Sequence, residues 1–168
     1  MKIDLIKHIL FAFVLISCGN NDDETAVLVE TWKLQSLEAG DFYDFNGDLN
    51  FSEDIVNELN CMDFDTYFLY SDGTGEEQVT KNIALFFDAS TSSVQGICEN
   101  LSETQRIPLT WSVNDNTRTF NFQGLSAMGT IIDNQLIFEQ IDFPLYTDNT
   151  LTSIELFQSA KFTYILQE

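Results

Sequence analysis

From Trp32 onward the apolar residues come in twos. Trp32 and Leu34 share one face of "TWKLQSL". Leu109, Trp111 and Val113 do so in "IPLTWSV", Phe120 and Phe122 in "RTFNFQG", and Phe162, Tyr164 and Leu166 in "KFTYILQ". A strand turns successive side chains to opposite faces, so apolar residues at every second position mark half-buried strands. "DTYFLY", "NIALFFD" and "SSVQGIC" are further strand candidates, rich in aromatic and β-branched residues. Turn-forming polar clusters divide these segments: Asp72-Gly73, "NDNT" at 114–117, and Asp133-Asn134 inside "MGTIIDNQLIFEQI". There is no internal repeat, and only Pro108 and Pro144 interrupt the chain after the first strand. The pattern predicts an all-β domain, an antiparallel up-and-down barrel of about eight strands, with a β-sandwich as the alternative.

One segment breaks the period. In "NFSEDIVNELNC" Ile55, Val56 and Leu59 fall on one helical face, with Ser52 as N-cap and Glu53 and Asp54 at the positive end of the helix dipole. Phe51 stands where a hydrophobic staple packs on Val56. Two turns of helix leading to Cys61 are expected.

The N-terminus follows a different logic. Ile9 to Ile16 is an almost wholly apolar run, too short for a transmembrane helix but long enough for the core of a secretory signal, with Lys2 and Lys7 before it. It closes as Leu15-Ile16-Ser17-Cys18, which resembles the bacterial lipobox. That resemblance implies cleavage before Cys18 and acylation of this cysteine, with 1–17 as the signal peptide. One acyl chain holds a protein only reversibly, at about 0.8 kcal/mol per buried methylene, whereas two or three hold it firmly. Behind Cys18, "GNNDDETA" has nothing to bury and reads as a solvated tether over 18–26, leaving 27–168 as the barrel domain. Asp22, Asp23 and Glu24 also resemble the surface-export signal of Bacteroidetes lipoproteins, with a soluble spacer as the plain alternative.

Cleavage leaves 151 of the 168 residues, enough for one domain with a real core. Without Lys2, Lys7 and Asp4, five basic and 26 acidic side chains remain, a net charge of −21. Such a surface repels nucleic acid and suits solubility, or a cationic or metal-ion partner. The sole histidine, His8, goes with the signal, which excludes Ser-His-Asp and Cys-His catalysis and zinc sites built on imidazole. Cys61 and Cys98, an even pair in an exported protein, are expected to form a disulfide, with two free buried thiols as the alternative. No Gly-rich phosphate loop or dinucleotide pattern is present. A non-enzyme is therefore expected, with a carboxylate-based hydrolase as the remote alternative.

"TWKLQS", "DFNGD" followed by a cysteine and by "FLYSDGT", and "LTWSVNDNTRTFNF" together resemble the lipocalin-like lipoproteins of Bacteroidetes, over roughly Val27 to Leu166. Glu30 stands where that pattern has glycine, two positions before the first tryptophan. The resemblance implies a lipocalin-like barrel on an outer-membrane lipid anchor, facing the cell surface or the periplasm. A barrel of this size is either packed solid or holds one small ligand.

"DFNGDLNFSED" resembles an EF-hand or dockerin half-site. Asp44, Asn46 and Asp48 take its first, third and fifth positions, Asn50 the carbonyl position and Ser52 the ninth. Leu49 replaces the usual glycine and Ile55 the closing carboxylate, so Asp54 is the substitute closing ligand. Calcium is the cation this implies; an Asx-rich turn feeding a capped helix is the alternative. Two functions follow as expectations. One is a non-catalytic binding module for a small apolar ligand, a glycan or a partner protein. The other is an accessory envelope lipoprotein docking through an acidic, calcium-stiffened face.

Overall fold

The computed structural model describes residues 26–147, 150 and 154–168, the side chains of 154–158 excepted. The signal at 1–17, Cys18 and residues 18–25 of the tether lie outside the described residues.

Strand follows strand: β1 (Leu28–Tyr43), β2 (Ser52–Asp54), β3 (Asp65–Tyr70), β4 (Thr74–Asp88), β5 (Ser93–Asn114), β6 (Thr117–Phe122), β7 (Leu125–Ile132), β8 (Gln135–Tyr146) and β9 (Ile154–Leu166). Among the described residues a single short helix, α1 (Ile55–Glu58), follows β2. From β3 to β9 each strand pairs antiparallel with the next, and β1 lies between β3 and β9. The eight strands therefore close into a barrel, with no sandwich split, and β2 is a small addition to β1. The turns fall where the polar clusters place them. Gly73 has a φ of 82°, and Asp133 and Asn134 take 50° and 63°, the two positive values of a tight hairpin turn.

The period-two residues supply the core. Trp32, Leu34, Leu69, Leu109, Phe120, Leu136, Phe138 and Tyr164 are all buried. In β1 a bulge between Leu34 and Ser36 shifts the inward set from Trp32 and Leu34 to Leu37 and Ala39. The outer ends of the alternating runs leave the core: Val113 and Leu166 are exposed, where the strands pass the barrel rim.

Two strands are longer than their patterns suggest. "SSVQGIC" and "IPLTWSV" belong to the single strand β5, and "NIALFFD" continues the strand that begins at Thr74. The register slips between Val79 and Lys81, and beyond it the β4–β5 hairpin runs on as an arm. There Ile83, Ala84, Leu85 and Phe86 are buried consecutively, so the arm is covered on both faces and alternation gives no signal.

The helix differs from expectation. It has four residues, and its N-cap is Asp54, whose carboxylate accepts the N–H groups of Val56 and Asn57. Ser52 and Glu53 instead extend along β1 as β2. Ile55 and Val56 are buried as the apolar face requires, but Phe51 is 66% exposed and makes no staple. The disulfide forms: Cys61 and Cys98 are joined with Cα atoms 5.8 Å apart, tying the segment after α1 to β5.

The barrel wall has one gap. β8 pairs with β7 only from Gln135 to Ile137, and meets β4, in a short parallel contact, only at Leu145 and Tyr146. Between these points its β7-side edge has no recorded partner among the described residues. Pro144 lies on this stretch, where a missing N–H costs no ladder bond. A bulge at Glu139 and Gln140, with Gln140 at φ 56°, bends the strand beside the gap.

Candidate functional site

At the end of the barrel where β1, the β4–β5 arm and β8 finish, a cleft of about 750 Å³ opens. Phe42 and Tyr43 of β1, Leu49 and Phe51 of the following loop, Phe87 and Val94 of the arm, and Leu145 line it. Phe51 and Leu49, the latter 82% exposed, present bare apolar surface to it.

The loop at its rim is the stretch read as a calcium half-site. Asp44 organises it: its carboxylate accepts from Gly47 N (2.7 Å), Asp48 N (3.0 Å) and Leu49 N (3.0 Å). Asn46 Oδ1 accepts from Asp48 N, and Asp48 Oδ1 from Asn50 N, both at 2.8 Å. Leu49 takes the positive φ, 71°, that glycine would adopt without strain. Hydrogen bonds from the Asn50 backbone and side chain hold the Asp48 carboxyl below its usual pKa. Ser52 is turned inward along the chain, its Oγ accepting from Asp54 N.

One residue of the expected cation set has other partners. Asp54 is committed to capping α1 and also accepts from Leu37 N, so it does not close the loop. Glu58, at the end of α1, stands beside the loop. Its carboxylate and those of Asp44 and Asp48 offer oxygens all within 4.8 Å of one another. Glu58 Oε1 is buried without a hydrogen-bond partner, and burial, followed by the charges of Asp48 and Asp44, raises its pKa. Asn46 Nδ2 donates to Glu58 O, joining loop to helix end.

A second constellation lies inside the barrel. Its interior is mostly filled: Tyr67, Phe120, Phe122, Phe138 and Tyr164 form a cluster with ring centroids 4.9–6.3 Å apart. What remains is a recess of about 190 Å³ at the gap in the wall. Asp65 and Tyr67 of β3, Glu77 of β4 and Tyr164 of β9 form its polar side, and Ala127, Phe138, Ile141 and Phe162 its apolar side. The Tyr164 hydroxyl donates to Asp65 Oδ2, and the Tyr67 hydroxyl reaches Glu77 Oε1 at 3.4 Å. Burial, then the charge of Glu77, pushes the Asp65 carboxyl well above its usual range, and burial raises Glu77. Both tyrosines lie above theirs, burial again being the first cause.

Two facing acids are what a carboxylate hydrolase needs. Asp65 and Glu77 are close enough for each to perturb the other's ionisation. Proton-sharing pairs also activate water in aspartic proteases, yet 190 Å³ among aromatic rings has no room for a peptide strand.

Opposite the cleft, Glu30 has its own function. Its carboxylate accepts from Trp32 Nε1 (2.7 Å) and pairs with Arg118 (2.7 Å), whose guanidinium lies 5.9 Å from the Trp111 ring centroid. Glu30 thus ties β1 to β6 across the barrel end.

Compared with family models, curated proteins and solved structures, the chain matches none.

Sequence reasoning missed Asp65, Glu77 and Glu58. For Asp65 a signal existed, since it is in phase with Tyr67 and Leu69 on the inward face of "DTYFLY". An acid on an apolar stripe is the anomaly to look for.

Proposed function

We propose that this chain is a lipid-anchored envelope lipoprotein of the lipocalin-like kind, a non-catalytic module that binds a small apolar ligand at the open end of its barrel. The observation that carries the binding half is the 750 Å³ cleft with Phe42, Leu49, Phe51 and Phe87 exposed at its rim. Pockets of this volume, largely apolar with a few polar groups, take small molecules. The anchoring half rests on the apolar run and the lipobox-like end at Cys18, and the Cys61–Cys98 disulfide suits an oxidising compartment.

Each half has its own test. Radiolabelled palmitate is expected to mark the wild type but not Cys18→Ser, which should be released from the membrane fraction. A Cys18→Ser chain still fixed in the envelope overturns the anchor. For the cleft, Nile red is expected to brighten on the wild type and to lose most of that signal on Phe51→Asp/Phe87→Asp. No brightening on the wild type overturns the binding site.

One observation favours a second reading, an accessory lipoprotein whose acidic loop is stiffened by calcium. The partnerless Glu58 oxygen beside Asp44 and Asp48 is an arrangement a hard cation would complete. Asp44, Asp48 and Glu58 would hold it, with Asn46 and Asn50 adjacent.

A further inference from the structure

We propose that the recess in the barrel wall is a binding site for a small monocationic amine, its ammonium group held by Asp65 and Glu77 and its apolar part lying on Tyr67, Phe138 and Tyr164.

Asp65 is 3% exposed, and only one of its oxygens is satisfied. The other, Oδ1, is buried with no donor outside the acid pair itself, Glu77 being its neighbour. Charge held by two buried carboxyls is costly without a counter-ion. No lysine, arginine or histidine lines the recess to supply one, and the titratable groups facing it are Asp65 and Tyr67 from β3, Glu77 from β4 and Tyr164 from β9. β7 and β8 contribute only apolar side chains there. The positive charge must therefore come with the ligand.

The remaining walls define its chemistry. Tyr67, Phe138 and Tyr164 stand with centroids 4.9–6.2 Å apart, and ring faces attract a cation through their quadrupoles, most strongly where water is excluded. A metal ion finds too few oxygens here, since the rings occupy the rest of the shell. Two carboxyls sharing one proton carry a single negative charge, which one ammonium neutralises. At 190 Å³ the recess accepts an arylalkyl or short alkyl amine and rejects a long acyl chain. Entry is through the gap where the β7-side edge of β8 is unpaired between Ile137 and Leu145. The formal net charge of −20 draws cations to the surface from which they enter.

Benzylamine is the probe, with benzyl alcohol as its uncharged counterpart, titrated calorimetrically into the full chain at matched ionic strength. Benzylamine is expected to bind at least about tenfold more tightly than benzyl alcohol. Asp65→Asn and Glu77→Gln should each weaken it by about tenfold or more, while Glu76→Gln, an acid of the outer face paired with Arg106, should leave it unchanged. Equal affinity for amine and alcohol overturns the proposal, as does equal loss in Glu76→Gln. Should either inner variant fail to fold, transferred proton contacts between the benzyl ring and Phe138 or Tyr164 in the wild type decide the matter: their presence supports the site and their absence overturns it. Nile red at the end cleft is expected to be indifferent to benzylamine, so the two binding sites can fail separately.

Discussion

Replacing one oxygen of Asp65 by nitrogen isolates what its burial costs. The Asp65 carboxyl holds its proton well above the usual aspartate range, chiefly because burial penalises the charged form. A carboxyl raised in this way is harmless below its unfolded value and destabilising above it. Stability drains as pH climbs from 3.8 toward the folded value, because the unfolded chain gives up its proton first. Asp65→Asn has no proton to lose and keeps an acceptor for Tyr164. It is expected to melt close to wild type at the acid end and above it at neutral pH, with each ~1 kcal/mol recovered raising Tm by ~2–4 °C. Melting both proteins across pH checks this, and a gap that does not vary with pH refutes it. If the same substitution also weakens benzylamine, stability has been traded for binding, as at many functional sites. At this scale the sequence was only partly legible. Trp32, Leu34, Phe120 and Tyr164 declare themselves through alternation, whereas the partners of Asp44 and Asp65 depend on which strands fold against which. Glu58 meets Asp44 only because α1 is short and turns back toward the loop.

Among elements, the segment from Asp44 to Cys61 depends most on its cross-link. Helix α1 has four residues, far below the length at which a helix is stable alone, so its position derives from Ile55 and Val56 in the core and from the disulfide. Closing a separation of 37 residues stabilises by about 4 kcal/mol in the chain-entropy account. Cys61→Ser/Cys98→Ser is therefore expected to lower the denaturant midpoint by that equivalent and to blunt Nile red binding, since Phe51 and Leu49 lie on the tethered loop. An unchanged midpoint in guanidinium titrations would show that packing alone suffices. Turns and most strands were readable because Asp72-Gly73 and Asp133-Asn134 have few other uses. The union of two segments into β5 was not, because 99–106 is largely exposed and carries no alternation. The N-cap moved from Ser52 to Asp54 because β2 claimed Ser52 for pairing with β1.

For the whole molecule, charge and closure matter most. A formal net charge of −20 on 168 residues sets the folded state against its own repulsion, which added salt screens. Tm is expected to rise with sodium chloride, and to rise further with calcium at equal ionic strength if Asp44, Asp48 and Glu58 take the ion. Glu58→Gln should remove the calcium increment and leave the sodium response. An identical response to both salts in the wild type excludes the cation site. Barrel class and approximate strand number were legible from periodicity, but the gap beside β8 was not, because it arises from where β7 stops pairing rather than from any residue type. The seal between β1 and β9, with Lys33 opposite Ile165, has a further consequence. A chain delivered N-terminus first cannot complete its wall until β9 has emerged.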